Sequence, residues 1–223
     1  MLFLAVFCGF LAENFREHQV EHHREKQFMQ SLLVDLRADS IELRDRKIGM
    51  EQSVIYEDSM LLFLYNNHPV DYIPQHYSDS LAWYGLLRHT LSFSDATAIQ
   101  LQNAGNLRLI RKQEVVRDIL SYWKGQENAK TILDRFIIYR NRGREIEEKL
   151  FAFSNKALVE DGFIKDPGKG VRVIQSDPLL WDEYANIIAH CRVTARQLAK
   201  TLKDLSVLAS QLMVLLKKEY DLK

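Results

Sequence analysis

The sequence predicts an all-α protein: an elongated antiparallel bundle of three long helices plus two short ones. Three observations carry this. Glycine (9) and proline (4) are scarce among 223 residues, so the chain runs far without a breaker. Hydrophobic residues make up 47%, which is enough for a packed core. Apolar residues recur at alternating spacings of three and four, the period of helices that pack along a seam.

The first long helix is expected to run from the N-terminus to about Tyr65, since Pro69 blocks its continuation. Leu36, Leu43 and Met50 form one row seven apart. Val34, Ile41, Ile48, Ile55 and Leu62 form a second. An offset of two residues is about 200° of helix rotation, so this helix is apolar on two sides. The plainer reading is a helix sandwiched inside its own bundle. The sharper one is a contact with another copy or with a protein partner. His68 to Ser80 reads as a loop with two prolines. A short helix is expected over Leu81 to His89 (Trp83, Tyr84, Leu86, Leu87), and another from Ser94 to Gly105, where serine suits the N-cap and glycine the C-cap.

The second long helix is expected from Gln113 to Val159. Its seam is Ala129, Ile132, Phe136, Tyr139, Gly143, Ile146, Leu150, Phe153 and Ala157. Gly143 admits a close neighbour there. A small β-hairpin fits 163–174, with Phe163-Ile164-Lys165 and Val171 to Ile174 flanking DPGKG. Asp177 as N-cap and Pro178 at the first turn then open the third long helix. Its seam is Tyr184, Ile188, Cys191, Ala195, Leu198, Leu202, Leu205, Ala209, Leu212 and Leu216. Similar lengths favour an up-down-up order.

Lys+Arg and Asp+Glu both number 30, so the chain lacks the basic excess that phosphate-backbone binding requires. Nucleic acid is excluded as a partner on that ground. Cys8 and Cys191 fit neither a disulfide framework nor a zinc site. Met1 to Ala12 carries no charge, yet a full membrane span needs about 20 apolar residues. No basic leader of a secretory signal precedes it. Two readings remain: the end of a transmembrane helix that starts further upstream, which is favoured, or a short interfacial or buried helix. Residues 1–15 are thus assigned as a membrane anchor and 16–223 as the helical-bundle domain. Arg16, Arg24 and Lys26 follow the apolar run and, taken alone, place the body in the cytoplasm.

No catalytic constellation emerges. His18 and His22 lie four apart beside Glu17, Glu21 and Glu25, so they share a helix face and could clasp a metal. Without a third ligand they read instead as a solvated collar outside the apolar segment. DPGKG lacks the Walker spacing and is a turn. Asp134, Glu145, Glu147 and Glu148 read as solvated faces. Trp83, Tyr84, Phe93, Tyr122 and Trp123 read as packing rather than a ligand pocket. The reading therefore assigns no catalytic, cofactor or metal residue, no cofactor and no small-molecule substrate.

Ser94 to Trp123, SDATAIQLQNAGNLRLIRKQEVVRDILSYW, and the N-terminal FLAVFCGFLAENFREH and REKQFMQSLLVDLRAD resemble a family of N-terminally membrane-anchored helical proteins from Bacteroidota, a domain of unknown function. The matching positions include Leu101, Gly105, Asn106 to Ile110 and Tyr122-Trp123. The resemblance covers most of the first 125 residues. It implies a single-pass inner-membrane anchor with the body in the periplasm, and it carries over no site residues. The expected function is a non-enzymatic, membrane-anchored bundle acting in interaction, sensing or scaffolding. The alternatives are a structural subunit of a larger membrane assembly and, behind it, a metal-binding protein using His18 and His22.

Overall fold

The computed structural model describes residues 2–66, 72–73, 90–103, 105–152 and 171–222. Long breaker-free stretches do become long helices. These are α1 (Leu2–Asn66), α3 (Gln113–Leu150) and α4 (Pro178–Tyr220), with the short helix α2 (Ala96–Asn103) and a 3-10 turn at Asn106–Leu109 between the first two. The fold is an all-α bundle with one small sheet. The expected loop at 68–80, the short helix at 81–89 and the first half of the hairpin, 163–165, lie outside the described residues.

Two compact units divide the chain. One comprises Met1–Leu43, Ser92–Gln126 and Asp204–Lys223, the other Arg44–Leu91 and Glu127–Lys203. The division passes through α1, α3 and α4, so each unit takes a stretch from all three.

In the first unit Glu25 of α1 accepts from the backbone of Arg111, and Asp39, further along α1, accepts from Tyr122 of α3. Partners that advance together make α1 and α3 parallel. Lys112 pairs with Glu219, and Gly125 of α3 packs on Leu205, so α4 runs the other way. In the second unit Glu147 of α3 meets Tyr184 of α4, and Tyr139 stacks on His190 at 4.9 Å, again antiparallel. The order is therefore up-up-down, with α4 antiparallel to both partners, and not up-down-up. The physical reason is the connection. The stretch from Asn66 to Gln113 is long enough to return the chain to its starting end, which a short turn cannot do.

Helix α4 starts as its sequence dictates. The Asp177 carboxylate accepts from the Leu179 amide at 3.0 Å, with Pro178 in the first turn. All ten of its seam positions are at most 4% exposed. In α3, Ala129, Ile132, Phe136, Ile146 and Leu150 are buried. At Gly143 an added Cβ would lie 3.5 Å from Ile187, the close approach its place on the seam suggests. Helix α3 stops at Leu150, short of Val159, and Phe151–Ala152 become strand β2. With β1 (Tyr72–Ile73) and β3 (Val171–Val173) it forms an antiparallel sheet in the order β1-β3-β2. So the strand expected near 171 exists, and its described partners are Phe151–Ala152, shortly before it, and Tyr72–Ile73, far upstream. Aromatic packing explains the termination, because the Phe151 ring sits edge-on to both Trp181 and Tyr184, at 5.7 Å each.

Helix α1 departs from the sandwiched reading. Leu36, Leu43 and Met50 are buried, whereas Val34, Ile41, Ile48, Ile55 and Leu62 are exposed. Each unit covers α1 on one side only. Gly105 ends the α2 segment with φ +63°, the left-handed geometry that glycine adopts freely. Ile110 then buries the corner while Arg108 and Arg111 stay exposed.

Leu202 and Leu205 are buried on the α4 seam. Leu→Ala at either position is expected to cost about 2–5 kcal/mol in urea unfolding. Lys203→Ala, on the exposed face between them, should cost under about 0.5 kcal/mol. Equal effects would refute the seam.

Candidate functional site

The buried polar groups, rather than an open cleft, form the most organised chemistry in the described residues. Glu25, Asp39, Ser53, Glu57, Arg140, Glu147 and Thr194 all lie inside. Three of the carboxylates share one arrangement, in which each accepts a tyrosine hydroxyl from another helix.

In the first unit, Glu25 of α1 takes the Tyr220 hydroxyl of α4 at 2.6 Å and the Arg111 amide at 3.0 Å. Asp39 takes the Tyr122 hydroxyl of α3 at 2.8 Å, the Gln126 side-chain amide at 2.9 Å and the Ser94 backbone N–H at 2.7 Å. Asp35, one turn before Asp39, accepts from the Thr97 amide, so carboxylates of α1 satisfy the open N–H groups where α2 begins. In the second unit, Glu147 of α3 takes the Tyr184 hydroxyl of α4 at 3.0 Å and a two-pronged contact from Arg140, at 3.1 and 3.5 Å.

Burial sets the electrostatics. Desolvation pushes the Tyr122, Tyr184 and Tyr220 phenols up, and the carboxylate beside each adds to this. All three therefore keep their protons and donate. Burial also raises the Asp39 carboxyl, against the lowering pull of its donors. Cys191 lies buried in the second unit, and burial followed by the Glu57 charge pushes its thiol up to about 12. A thiol held protonated this strongly is a poor nucleophile. These groups are fixed donors and acceptors that fasten helices to one another.

The residues singled out from sequence fall elsewhere. His18, His22 and His23 sit on the exposed surface of α1. The His18 ring faces Glu21 at 3.8 Å, His22 faces Glu25 at 3.4 Å, and His23 contacts Gln27 at 3.1 Å. Among the described residues no three His, Cys, Asp or Glu side chains are placed to hold a metal ion. Phe93, Tyr122 and Trp123 are buried, and Trp83 and Tyr84 lie outside the described residues. Asp134, Glu145 and Glu148 are exposed as read, but Glu147 is not. It is 4% exposed, because it falls on the inner face of α3, one residue after Ile146 and seven after Arg140. Sequence reading also missed Glu25, Asp39 and Glu57. A signal for Glu57 existed, since it continues the buried row Leu36, Leu43, Met50 by one more step of seven.

The outer surface of α1 carries the other candidate. Phe3, Val6, Phe7, Phe10, Leu11 and Phe15 are all exposed at its start, and Phe3 stacks on Phe7 at 6.3 Å. No helix among the described residues is long and apolar enough to cross a membrane. Comparison with protein families, with curated proteins and with solved structures finds no match to this chain.

Asp39→Ala would strand the Tyr122 hydroxyl, the Gln126 amide and the Ser94 N–H, and is expected to cost about 3 kcal/mol or more in denaturant unfolding. Asp39→Asn supplies the pH test. A carboxyl raised in the folded state contributes stability that is fully present below its unfolded pKa, and that stability is lost as pH rises through the folded value. The advantage of the natural chain over Asp39→Asn should thus grow from neutral pH toward pH ~3. A constant difference across that range would contradict the burial of this charge.

Proposed function

We propose that this chain is a membrane-attached, non-enzymatic helical-bundle protein that acts in interaction, sensing or scaffolding. One observation carries the reading: six large apolar side chains from Phe3 to Phe15 stand exposed at the start of α1. A soluble surface rarely leaves such a group open, and a lipid interface would cover it. Glu13, Arg16 and Glu17 stand at its end, and Arg16 pairs with Glu13. Charges at that point suit the level where a helix leaves the apolar layer.

Since no described helix meets the length and hydropathy of a span, attachment is through the apolar segment as an interfacial insertion or as the end of a longer span. The resemblance of the first 125 residues supports a bacterial inner-membrane protein with its body in the periplasm. The basic residues after the segment support the cytoplasm as the alternative. A second reading, a structural subunit of a larger membrane assembly, is favoured by the uncovered apolar row along α1. The metal-binding reading keeps its own test, which is stoichiometric metal lost on His18→Ala with His22→Ala.

Flotation of the purified full chain with phospholipid vesicles tests attachment. A fully buried phenylalanine contributes roughly 1.5–3 kcal/mol, so Phe3→Ser, Phe7→Ser and Phe10→Ser together should lower the bound fraction at least tenfold. Equal flotation of both proteins would refute attachment by this segment. For the side of the membrane, Cys191 is buried with an unreactive thiol, so only Cys8 needs replacing. A Cys8→Ser, Lys203→Cys chain should be labelled by an impermeant thiol reagent in intact spheroplasts. Labelling only after lysis would place the body in the cytoplasm.

A further inference from the structure

His18, His22 and His23 stand close together on α1, in the first unit, and all three are exposed. They begin three residues after Phe15, the end of the exposed apolar segment. At 1.5 Å per residue, His18 lies no more than about 5 Å beyond that segment and His23 no more than about 12 Å. The headgroups of a lipid layer and the field of their charges extend about this far.

The other charges of this stretch cancel. On α1 they are Glu13, Arg16, Glu17, Glu21, Arg24, Glu25 and Lys26. Arg111, at the entry to α3, adds a fourth cation, because its guanidinium donates to the His18 carbonyl at 3.3 Å. Four cations thus stand against four carboxylates. From α4, the Tyr220 hydroxyl donates to Glu25, and beside it Lys112 and Lys218 pair with Glu219. Within α1 the His18 ring faces Glu21, His22 faces Glu25 and His23 contacts Gln27. The hydrogen bond from Arg16 holds the Glu13 carboxyl below its ordinary range, so it stays ionised in weak acid. The sign of the stretch is therefore left to the histidines. Histidine is the side chain that gains a positive charge as pH falls from about 8 to about 5.

From this balance we propose that the histidine collar recognises anionic phospholipid headgroups and strengthens membrane attachment as pH falls below neutral. The inference rests on the attachment reading and adds to it the charge of the surface and the condition of binding. The apolar segment inserts into lipid of either kind, and the collar supplies the preference. At neutral pH the four carboxylates withhold that preference, because they leave no net positive charge for an anionic surface to attract. A basic charge beside an anionic leaflet is worth about fivefold in binding, so three are worth on the order of a hundredfold.

Flotation of the purified full chain tests this, on phosphatidylcholine vesicles and on vesicles of phosphatidylcholine with phosphatidylglycerol. A chelator is present throughout, so no metal ion bridges protein and lipid. From about pH 7.5 to about pH 5.5, partition onto the anionic vesicles should rise at least about tenfold. On the neutral vesicles it should change less than about twofold, and high salt should remove the rise on the anionic ones. The chain with His18→Gln, His22→Gln and His23→Gln should float on neutral vesicles as the natural chain does, with unchanged helical circular dichroism. On anionic vesicles its partition should no longer depend on pH. Histidines elsewhere in the sequence remain in that variant, so loss of the rise assigns it to these three. A natural chain whose partition onto anionic vesicles is the same at both pH values would overturn the proposal. So would an equal rise on neutral vesicles, or a rise that survives in the triple variant. Each of those results leaves attachment standing, whereas a chain that floats on neither kind of vesicle at either pH defeats both readings.

Discussion

A buried carboxylate that accepts a tyrosine hydroxyl from another helix is the constraint on which this structure turns. Among the described residues it joins each pair of long helices. Glu25 joins α1 to α4, Asp39 joins α1 to α3, and Glu147 joins α3 to α4. An unpaired carboxylate inside a protein is costly enough to prevent folding or to take up a proton. With its donors in place it is tolerated, and it becomes specific. Seams of leucine, isoleucine and alanine are similar at every step of seven, so they allow a helix to slide. A slide of α3 by seven residues along α1 would move Tyr122 and Gln126 away from Asp39 and leave that charge without its partners. The apolar seams thus supply most of the stabilisation, and the carboxylates set which alignment receives it.

The up-up-down order follows from the same contacts. Asp39 holds more than α3, since it also takes the Ser94 amide while Asp35 takes the Thr97 amide. The start of α2 is therefore fixed to α1. Glu25 holds the Arg111 amide at the entry to α3. The returning chain is bound to α1 at successive points before α3 begins, which places α3 beside α1 in the same direction.

Helix α1 buries several polar groups within its apolar inner face and leaves other apolar groups outside. Glu25, Asp39, Ser53 and Glu57 are buried, while five β-branched or leucine side chains are not. Partners inside the fold account for the first set. The second set has no partner within the described residues of its own fold, and leaving it in water forgoes the burial that such side chains normally gain. The exposed N-terminal apolar segment and this row together leave much apolar surface of α1 uncovered among the described residues.

Fold class and the α4 seam were legible in the sequence alone, because spacing on a helix maps directly to a face. The ten α4 positions needed nothing beyond their own spacing, and Asp177-Pro178 is a local signal that acts locally. Gly105 likewise marked a corner by a conformational preference that no neighbour has to supply. What tertiary structure decided is everything that depends on a partner distant in sequence. Whether Glu147 faces water or Tyr184 is not written in the residues around it, because its helical position sits at the edge of the buried face, and Arg140 and Tyr184 determine the outcome. The end of α3 at Leu150 is set by the packing of Phe151 on Trp181 and Tyr184, and strand Val171–Val173 takes its partners from Tyr72–Ile73 and Phe151–Ala152. The second apolar row of α1 was visible as a row, but only the packed units show it left uncovered. Sequence spacing assigns a residue to a face, and whether that face is covered depends on which elements the rest of the chain brings to it.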